Sequence, residues 1–386
     1  MLTITHTNCA STGELLDRAL DTIEFYGFDS VDHKFKGRKM NRKVKQSATP
    51  TIALQTEKKL AAMTKSFVSH KMHRDELPNF SYQLEHNNSK ISTLGLYATG
   101  SRSAITEGVL IATLATIARD SGLNNTVMHI NSIGDKESSV RFVRDLTSYL
   151  RTHINDMPTY AREEMQNGNI MRAFTRLSEK NHEIVAGAPN SMEYLNDESR
   201  AHLRSVLEFT ENMGVPYELD PTILGSTDCW QHTIFELRVP TENGGTVTLA
   251  RGGRHDTLAL RSFRTVLPMV SAIIEHEIQG RAKPRRRTQR NPRFFFAQLG
   301  PEAKRKSFTV IERLREAGIP IRQQVAIDSI GIQLENAEKH AIPYTIIIGH
   351  KEALENTAIV RNMRTRSQAV VPLANLASYL KRLKVS

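Results

Sequence analysis

Apolar and polar residues follow the spacing of helices and strands along most of the chain, and the first 280 residues predict an α+β domain. Helices are expected over 13–26, 105–121, 138–152, 191–213 and 268–278, and strands over 80–84, 91–99, 125–130, 230–239 and 245–251. The run Glu242-Asn243-Gly244-Gly245 between the last two strands indicates a hairpin turn. In the helix over 138–152, the residues expected to face inward are Val140, Val143, Leu146 and Leu150.

Strands and helices alternate after residue 293, which predicts an α/β domain with a mostly parallel sheet. Strands are expected over 294–299, 319–322 and 344–348, and helices over 302–317, 329–340 and 373–382. Residues 358–361 and 369–372 have the pattern of a hairpin pair. The two patterns therefore predict different fold classes for the two parts of the chain.

A linker is expected at residues 281–293, because RAKPRRRTQRNPR contains two prolines, no acidic residue and no large apolar residue. The predicted domains are therefore 1–280 and 294–386. The first includes a basic segment at 31–48 and a helical insertion at about 154–213.

Positive charge is concentrated in these two basic segments. Seven basic residues accompany one acid, Asp32, between 31 and 48, and seven accompany none in the linker, so the rest of this chain of net charge +11 is close to neutral. Such runs are either solvated surface or contacts to nucleic-acid phosphates, and two that flank one domain favour RNA. The residues are Lys34, Lys36, Arg38, Lys39, Arg42, Lys43, Lys45, Arg281, Lys283, Arg285, Arg286, Arg287, Arg290 and Arg293.

Several classes of protein are excluded by composition. The two cysteines, Cys9 and Cys229, are too few for a disulfide scaffold or a multi-cysteine zinc site, and we expect no metal. The chain has no apolar run long enough for a membrane span. The N-terminus lacks the basic and apolar regions of a signal peptide, which predicts a cytoplasmic protein.

Four stretches, in the correct order, resemble histidyl-tRNA synthetase, a class II aminoacyl-tRNA synthetase. They are MHINSIGDKESSVRFVRDLTSYL; NIMRAF with AGAPNSMEYL and RAHLRSVLEFTENMGVPYELDP; LDPTILGSTDCWQHTIFEL with LARGGRHDTLAL; and AQLGPEAKRKSFTVIERLREAGIPI with NAEKHAIPYTIIIGHKE and IVRNM. The resemblance implies an antiparallel-sheet catalytic domain of the class II synthetase type, followed by a small α/β anticodon-binding domain. It also implies a homodimer that activates histidine with ATP.

The cations that this chemistry requires are changed. Activation builds negative charge on phosphate, which arginine forks stabilise. The resemblance implies that Glu85 or His86 stands where the second sequence motif of class II synthetases has an arginine. It also implies that His276 stands where the third motif has an arginine. Gly225 replaces the histidine-specific arginine. Thr93 stands where the family has a glutamine. Tyr97 stands where the family has the acidic residue that binds the α-amino group of the substrate.

Other positions of the implied site are kept or have structural interpretations. Glu57, Asp228, Gly252, Gly253 and Arg254 match the family, whereas Trp230 replaces a tyrosine. The glycines are also explained by a bulge, Arg254 by a salt bridge and Trp230 by core packing. The candidate positions are thus Glu57, Glu85, His86, Thr93, Tyr97, Gly225, Asp228, Trp230, Gly252, Gly253, Arg254 and His276, with Arg102 and Arg251 as substitute cations.

Three functions remain open from the sequence. The first is a synthetase-like protein without aminoacylation activity that binds tRNA or another structured RNA. The second is a divergent, active histidine–tRNA ligase that uses ATP and Mg²⁺ and draws on substitute arginines. The third is a regulatory or interaction subunit with a remodelled ligand pocket, joined to a synthetase or another protein partner.

Overall fold

The computed structural model describes residues 12–31, 56–62, 64, 78–87, 91–123, 125–241, 245–264, 267–277 and 292–383. The helices are α1 Thr12–Phe25, α2 at 56–62, α3 Ile105–Asp120, α4 Lys136–Thr152, α5 Thr159–Gln166, α6 Ile170–Glu179, α7 Asp197–Asn212, α8 Asp256–Phe263, α9 Pro301–Glu316, α10 Ile330–Lys339, α11 His350–Glu355 and α12 Leu376–Arg382. Short 3-10 turns cover Glu183–Gly187, Ser191–Tyr194 and Leu373–Asn375.

The strands form two sheets. They are β1 Asp29–Ser30, β2 Asn79–Asn87, β3 Ile91–Thr99, β4 Val127–Ser132, β5 Tyr217–Leu219, β6 Gln231–Pro240, β7 Thr246–Arg254, β8 Met269–Glu277, β9 Phe294–Gln298, β10 Ile321–Gln323, β11 Tyr344–Ile348, β12 Thr357–Asn362 and β13 Gln368–Pro372. Over the described ranges, the first sheet has eight strands in the order β1-β2-β3-β8-β7-β6-β4-β5. Its six central strands pair antiparallel, which confirms the antiparallel sheet that the resemblance implied.

The C-terminal sheet is mixed. Among the residues described, its five strands follow the order β10-β9-β11-β12-β13. The pairs β9–β10 and β9–β11 are parallel, while β11–β12 and β12–β13 are antiparallel. The predicted α/β domain and hairpin are therefore confirmed, although the sheet is parallel over only half of its pairings.

Two local predictions are wrong. Residues 268–278 are not a helix, because Met269–Glu277 is strand β8, paired with β3 on one side and β7 on the other. A buried apolar run of this length does not distinguish a central strand from a buried helix by periodicity. Val140 was expected inside but is 60% exposed, and Phe142 takes the inward position of α4.

Polar residues set the ends of two helices. Asp135, after the left-handed Gly134, caps α4 by accepting a hydrogen bond from the Ser138 amide at 2.9 Å. Asn196 likewise caps α7 by accepting from the Ser199 amide. The predicted helix over 191–213 is therefore divided into a 3-10 turn and α7.

A polar cluster joins the two domains. The Tyr26 hydroxyl, just after α1, donates to Glu312 on α9 at 3.0 Å. Arg315 donates to Glu312 at 2.9 Å and to Asp120 at the end of α3 at 2.8 Å. The side chain of Gln323 also donates to the Tyr26 carbonyl at 2.6 Å. The C-terminal domain is therefore attached to the core through specific hydrogen bonds.

Replacing Arg315 with alanine is expected to lower the free energy of unfolding by about 1.5–3 kcal/mol, because two carboxylates lose a charged hydrogen-bond donor. Burial alone would raise the pKa of Glu312, but the hydrogen bond and charge of Arg315 outweigh it and lower that pKa. The stabilisation is therefore present above the unfolded pKa of about 4.3 and is lost as the pH falls through the folded value.

Urea unfolding followed by circular dichroism at several pH values measures this effect. The difference between wild type and Arg315→Ala is expected to shrink below about pH 4.3. The exposed Arg313 on the same helix provides the control, and Arg313→Ala should stay within about 0.5 kcal/mol of wild type. Equal losses in both variants would contradict the role given to Arg315.

Candidate functional site

Strand register places the predicted motif positions side by side. On the backbone, Thr93 of β3 lies opposite Glu85 of β2 and Glu275 of β8, and His276 follows Glu275. The side chains of Glu85, His86 and His276 lie outside the described part of the structure. Tyr97 lies four residues further along β3, on the same face as Thr93 and beside Ser271. The candidate site is therefore the sheet face that carries Thr93 and Tyr97.

Trp230 fills the space above this face. The indole is only 1% exposed, and its Nε1–H donates to Glu57 Oε1 at 2.9 Å. The Ser226 amide donates to the same carboxylate oxygen at 2.7 Å. Glu57, a retained family position, therefore holds a tryptophan side chain and the loop around Ser226. The predicted core interpretation of Trp230 is confirmed.

An apolar cluster surrounds the indole. It joins residues of α2, β3, the loop before β6, and β8: Leu60, Tyr97, Leu224, Cys229, Trp230 and Ile273. Tyr97 and Thr93 are both buried, and Thr93 Oγ1 accepts a hydrogen bond from Lys59 Nζ at 3.4 Å. The protein's own side chains therefore occupy the region where the resemblance places a substrate amino acid.

Gly225 and Trp230 are sterically coupled. A Cβ atom at position 225 would overlap Cδ1 and Nε1 of Trp230 and would lie 2.7 Å from Glu57 Oε1. No side chain, and in particular no arginine, can occupy position 225 while the indole is in place. The position of the Trp230 indole therefore requires glycine at position 225.

The two glycines of β7 allow close packing. A Cβ at Gly253 would overlap the Thr233 carbonyl and lie 3.0 Å from Cζ3 of Trp230, and its φ is +156°. A Cβ at Gly252 would overlap the Ser271 carbonyl. The pairing of β6 and β7 also shifts register between Gln231 and Ile234. The bulge therefore lies on β6, between Gln231 and Ile234, and not at the two glycines of β7, where it was predicted.

Arg254 is held in a buried ion pair on the other side of the sheet. Its Nε and Nη2 donate to the two oxygens of Glu107 on α3, at 2.7 and 2.6 Å. Burial alone would raise the pKa of Glu107, but Arg254 and His202 outweigh it and hold that pKa far below its usual range. Asp256 lies 3.3 Å from Arg254 Nη1. The salt-bridge interpretation of Arg254 is confirmed.

Arg251 and Arg102, the two arginines predicted to act as substitute cations, lie in different environments. Arg251 is buried, pairs with Glu236 on the neighbouring strand and donates to the Leu224 carbonyl at 2.6 Å. It lies opposite Ile273, whereas Arg254 lies opposite Val270, so the two arginines occupy opposite faces of β7. Arg102 is exposed and makes no ion pair with any described residue. Asp228 is also exposed.

Neither His255 nor Cys229 is suited to polar catalysis. His255 is buried, its Nε2 lies 2.7 Å from Ser271 Oγ, and burial lowers its pKa to about 3, so it is neutral at pH 7. Burial raises the pKa of the Cys229 thiol, which disfavours the nucleophilic thiolate. Across the described ranges, no three His, Cys, Asp or Glu side chains group as metal ligands.

The basic segments mostly lie outside the described residues. This applies to the predicted RNA-binding residues Lys34, Lys36, Arg38, Lys39, Arg42, Lys43, Lys45, Arg281, Lys283, Arg285, Arg286, Arg287 and Arg290. Arg293 is described, and it donates to the Leu383 carbonyl and lies over the Phe294 ring, 5.5 Å from its centroid. At least this one basic residue therefore anchors the C-terminal helix.

Sequence reasoning missed Glu107 and Glu236, the acids that neutralise Arg254 and Arg251. A signal for Glu107 was present, because it is an isolated acid in the otherwise apolar start of α3. Buried acids are rare unless they are paired, so such a residue predicts an arginine partner. Glu236 had no comparable signal, since its neighbours on β6 alternate between polar and apolar.

Several known proteins are similar to this chain. Residues 296–383 match the anticodon binding domain family. Histidine–tRNA ligase 1 of Shouchella clausii is 28% identical over 347 residues, covering 83% of this chain and 79% of that protein. The histidine–tRNA ligase of Halothermothrix orenii is 28% identical over 337 residues, covering 84% and 80% respectively.

A solved structure supports the fold. The apo histidyl-tRNA synthetase of S. aureus is 20% identical, covers 99% of this chain and 100% of its own, and superposes with a TM-score of 0.50. Of the helices described, none is long and apolar enough to cross a membrane.

Proposed function

Because the chain belongs to the histidyl-tRNA synthetase family, we propose that it binds tRNA or another structured RNA without activating histidine. The observation that carries this proposal is the buried Trp230 side chain, which fills the amino-acid region and takes up Glu57. A substrate histidine would have to displace the indole and replace its hydrogen bond. Position 225 is a glycine, so no guanidinium group is available there to bind the substrate.

The charge pattern on the site face supports the same proposal. Transfer to phosphorus needs cations whose donors point at the phosphate, and removing one such donor costs about 10²–10³ in rate. Arg251 is the described arginine on this face, and Glu236 and the Leu224 carbonyl already accept its hydrogen bonds. Arg254 lies on the other face, paired with Glu107.

RNA binding is supported by the C-terminal domain. This domain matches the anticodon binding domain family over nearly its whole length, and a segment with seven basic residues joins it to the core. Electrostatic contacts of this kind contribute affinity that falls steeply with salt. Homodimerisation and a synthetase or regulatory partner, which the resemblance suggested, stay predictions.

ATP–pyrophosphate exchange tests the first half of the proposal. With purified full-length protein, histidine, ATP and Mg²⁺, we expect no exchange above the no-enzyme rate, because Trp230 is buried in the site and Arg251 is already paired with Glu236. The same preparation should bind unfractionated tRNA in an anisotropy titration, with affinity that decreases as salt increases.

The Glu57→Ala variant, prepared identically, controls for contaminating host synthetase. Exchange present in wild type and absent from Glu57→Ala would establish the divergent active ligase and overturn the proposal. Absence of tRNA binding at low salt would instead overturn the proposal that the protein binds RNA. That result would favour a regulatory or interaction subunit.

A further inference from the structure

The hairpin formed by β12 and β13 has a tightly bonded tip. The Asn362 amide donates to the Ser367 carbonyl and the Arg366 amide donates to the Asn362 carbonyl, both at 2.9 Å. The Asn362 side-chain oxygen accepts from the amides of Arg364 and Thr365, each at 3.0 Å. Side chains on this turn are therefore presented from a fixed backbone.

The turn carries an arginine where glycine is preferred. Arg366 has φ +60°, the left-handed conformation that follows a type I turn in many hairpins. Glycine adopts this conformation at no steric cost, whereas a side chain is disfavoured there. The local backbone therefore gives no reason for an arginine, which suggests that its side chain has a use at the surface.

The arginines of this hairpin are not neutralised. Arg364 and Arg366 are exposed, Arg361 is partly buried, and none of the three pairs with a carboxylate in the part of the chain that the structure describes. Arg361 Nε is shielded from solvent and donates to no described group. By contrast, Arg238, Arg251, Arg254 and Arg315 each bond at least one carboxylate.

The hairpin tip and the start of β9 lie at the same end of the sheet. Phe294 of β9 lies opposite Tyr344 of β11, which lies opposite Asn362 of β12. Two strand spacings, or about 10 Å, therefore separate the start of β9 from the end of β12. Arg293 directly precedes β9 and ends the basic segment 281–293. Arg293 and the hairpin tip, which are far apart in sequence, therefore lie at the same end of the domain.

We propose that Arg364 and Arg366, supported by Arg361, contact the phosphate backbone of an RNA. This inference rests on the proposed RNA-binding function and assigns it a surface. Guanidinium groups suit the partner, because they bind phosphate oxygens in a forked geometry. The match of this domain to the anticodon binding domain family favours RNA over an acidic protein segment.

Fluorescence anisotropy with the full-length protein tests the proposal, using a fluorescein-labelled RNA stem-loop as the probe. Arg364→Gln/Arg366→Gly is expected to raise Kd about tenfold at moderate salt and to make the slope of log K against log salt shallower by about 1.4. Arg313→Gln/Lys351→Gln removes the same charge from exposed positions elsewhere in the domain, and should change Kd by less than about twofold.

Thermal unfolding separates binding from folding. Since glycine readily adopts φ +60°, Arg364→Gln/Arg366→Gly should have a Tm equal to or above that of wild type. Arg364→Gln alone leaves the backbone at position 366 unchanged and should raise Kd about threefold. This single variant decides the question if the double variant proves less stable.

The outcomes distinguish the two proposals. A wild type that binds the stem-loop, with hairpin variants that match the Arg313/Lys351 control in Kd and salt slope, overturns the hairpin site and leaves RNA binding intact. A wild type that does not bind the stem-loop or tRNA at low salt overturns the proposed function and the hairpin site together.

Discussion

Arg254→Ala is expected to lower the free energy of unfolding by about 3–5 kcal/mol, the cost typical of breaking a buried ion pair. Glu107 is fully buried and would keep a negative charge without its bidentate partner. Arg254 also donates to the Ser101 carbonyl at 3.1 Å and to Thr106 Oγ1 at 2.8 Å, so the loop before α3 and the start of α3 lose contacts too.

Urea unfolding followed by Trp230 fluorescence measures the loss. Trp230 is the one tryptophan of the chain and is almost fully buried, so its emission reports unfolding of this domain. As a control, Arg254→Met/Glu107→Leu removes both charges and should be more stable than Arg254→Ala. A loss below about 1 kcal/mol for Arg254→Ala would show that the pair contributes little.

The fold was accessible from the sequence where local and long-range signals agree. Periodicity identified α3, α9 and the strand Tyr344–Ile348, and the ordered resemblance supplied the antiparallel sheet. Strand β8 was misassigned because a strand that is paired on both sides and buried has no polar alternation to distinguish it. The strand becomes evident only from its partners β3 and β7, which are far away in sequence.

The sequence alone shows which residue types stand at positions 225 and 276, but it does not show that Trp230 fills the candidate site. That Gly225 and His276, and not arginines, stand at these positions can be read directly from the chain. That Trp230 lies against both Gly225 and Glu57 depends on how the loop before β6 packs against α2. Residues 57 and 230 are brought together by tertiary structure alone, so their hydrogen bond has no local sequence signal.

Trp230→Ala is expected to lower the free energy of unfolding by about 3–5 kcal/mol, because it leaves a cavity in a close-packed cluster. It also removes the indole donor to Glu57 Oε1, which keeps the Ser226 amide as a partner. Trp230→Phe keeps a ring but lacks the N–H, and should cost less than Trp230→Ala. Urea unfolding followed by circular dichroism measures both variants, since the fluorophore is lost.

A double variant at positions 225 and 230 tests this prediction most directly, because the two residues are sterically coupled. Gly225→Arg should destabilise the wild type strongly, because its Cβ alone would overlap the Trp230 ring. In the Trp230→Ala background the same arginine has space, so the double variant should be more stable than the sum of the single losses predicts, by at least about 1 kcal/mol. Strict additivity of the two losses would mean that the indole does not occupy the space of the missing arginine, and the proposed inactivity would then lose its structural basis.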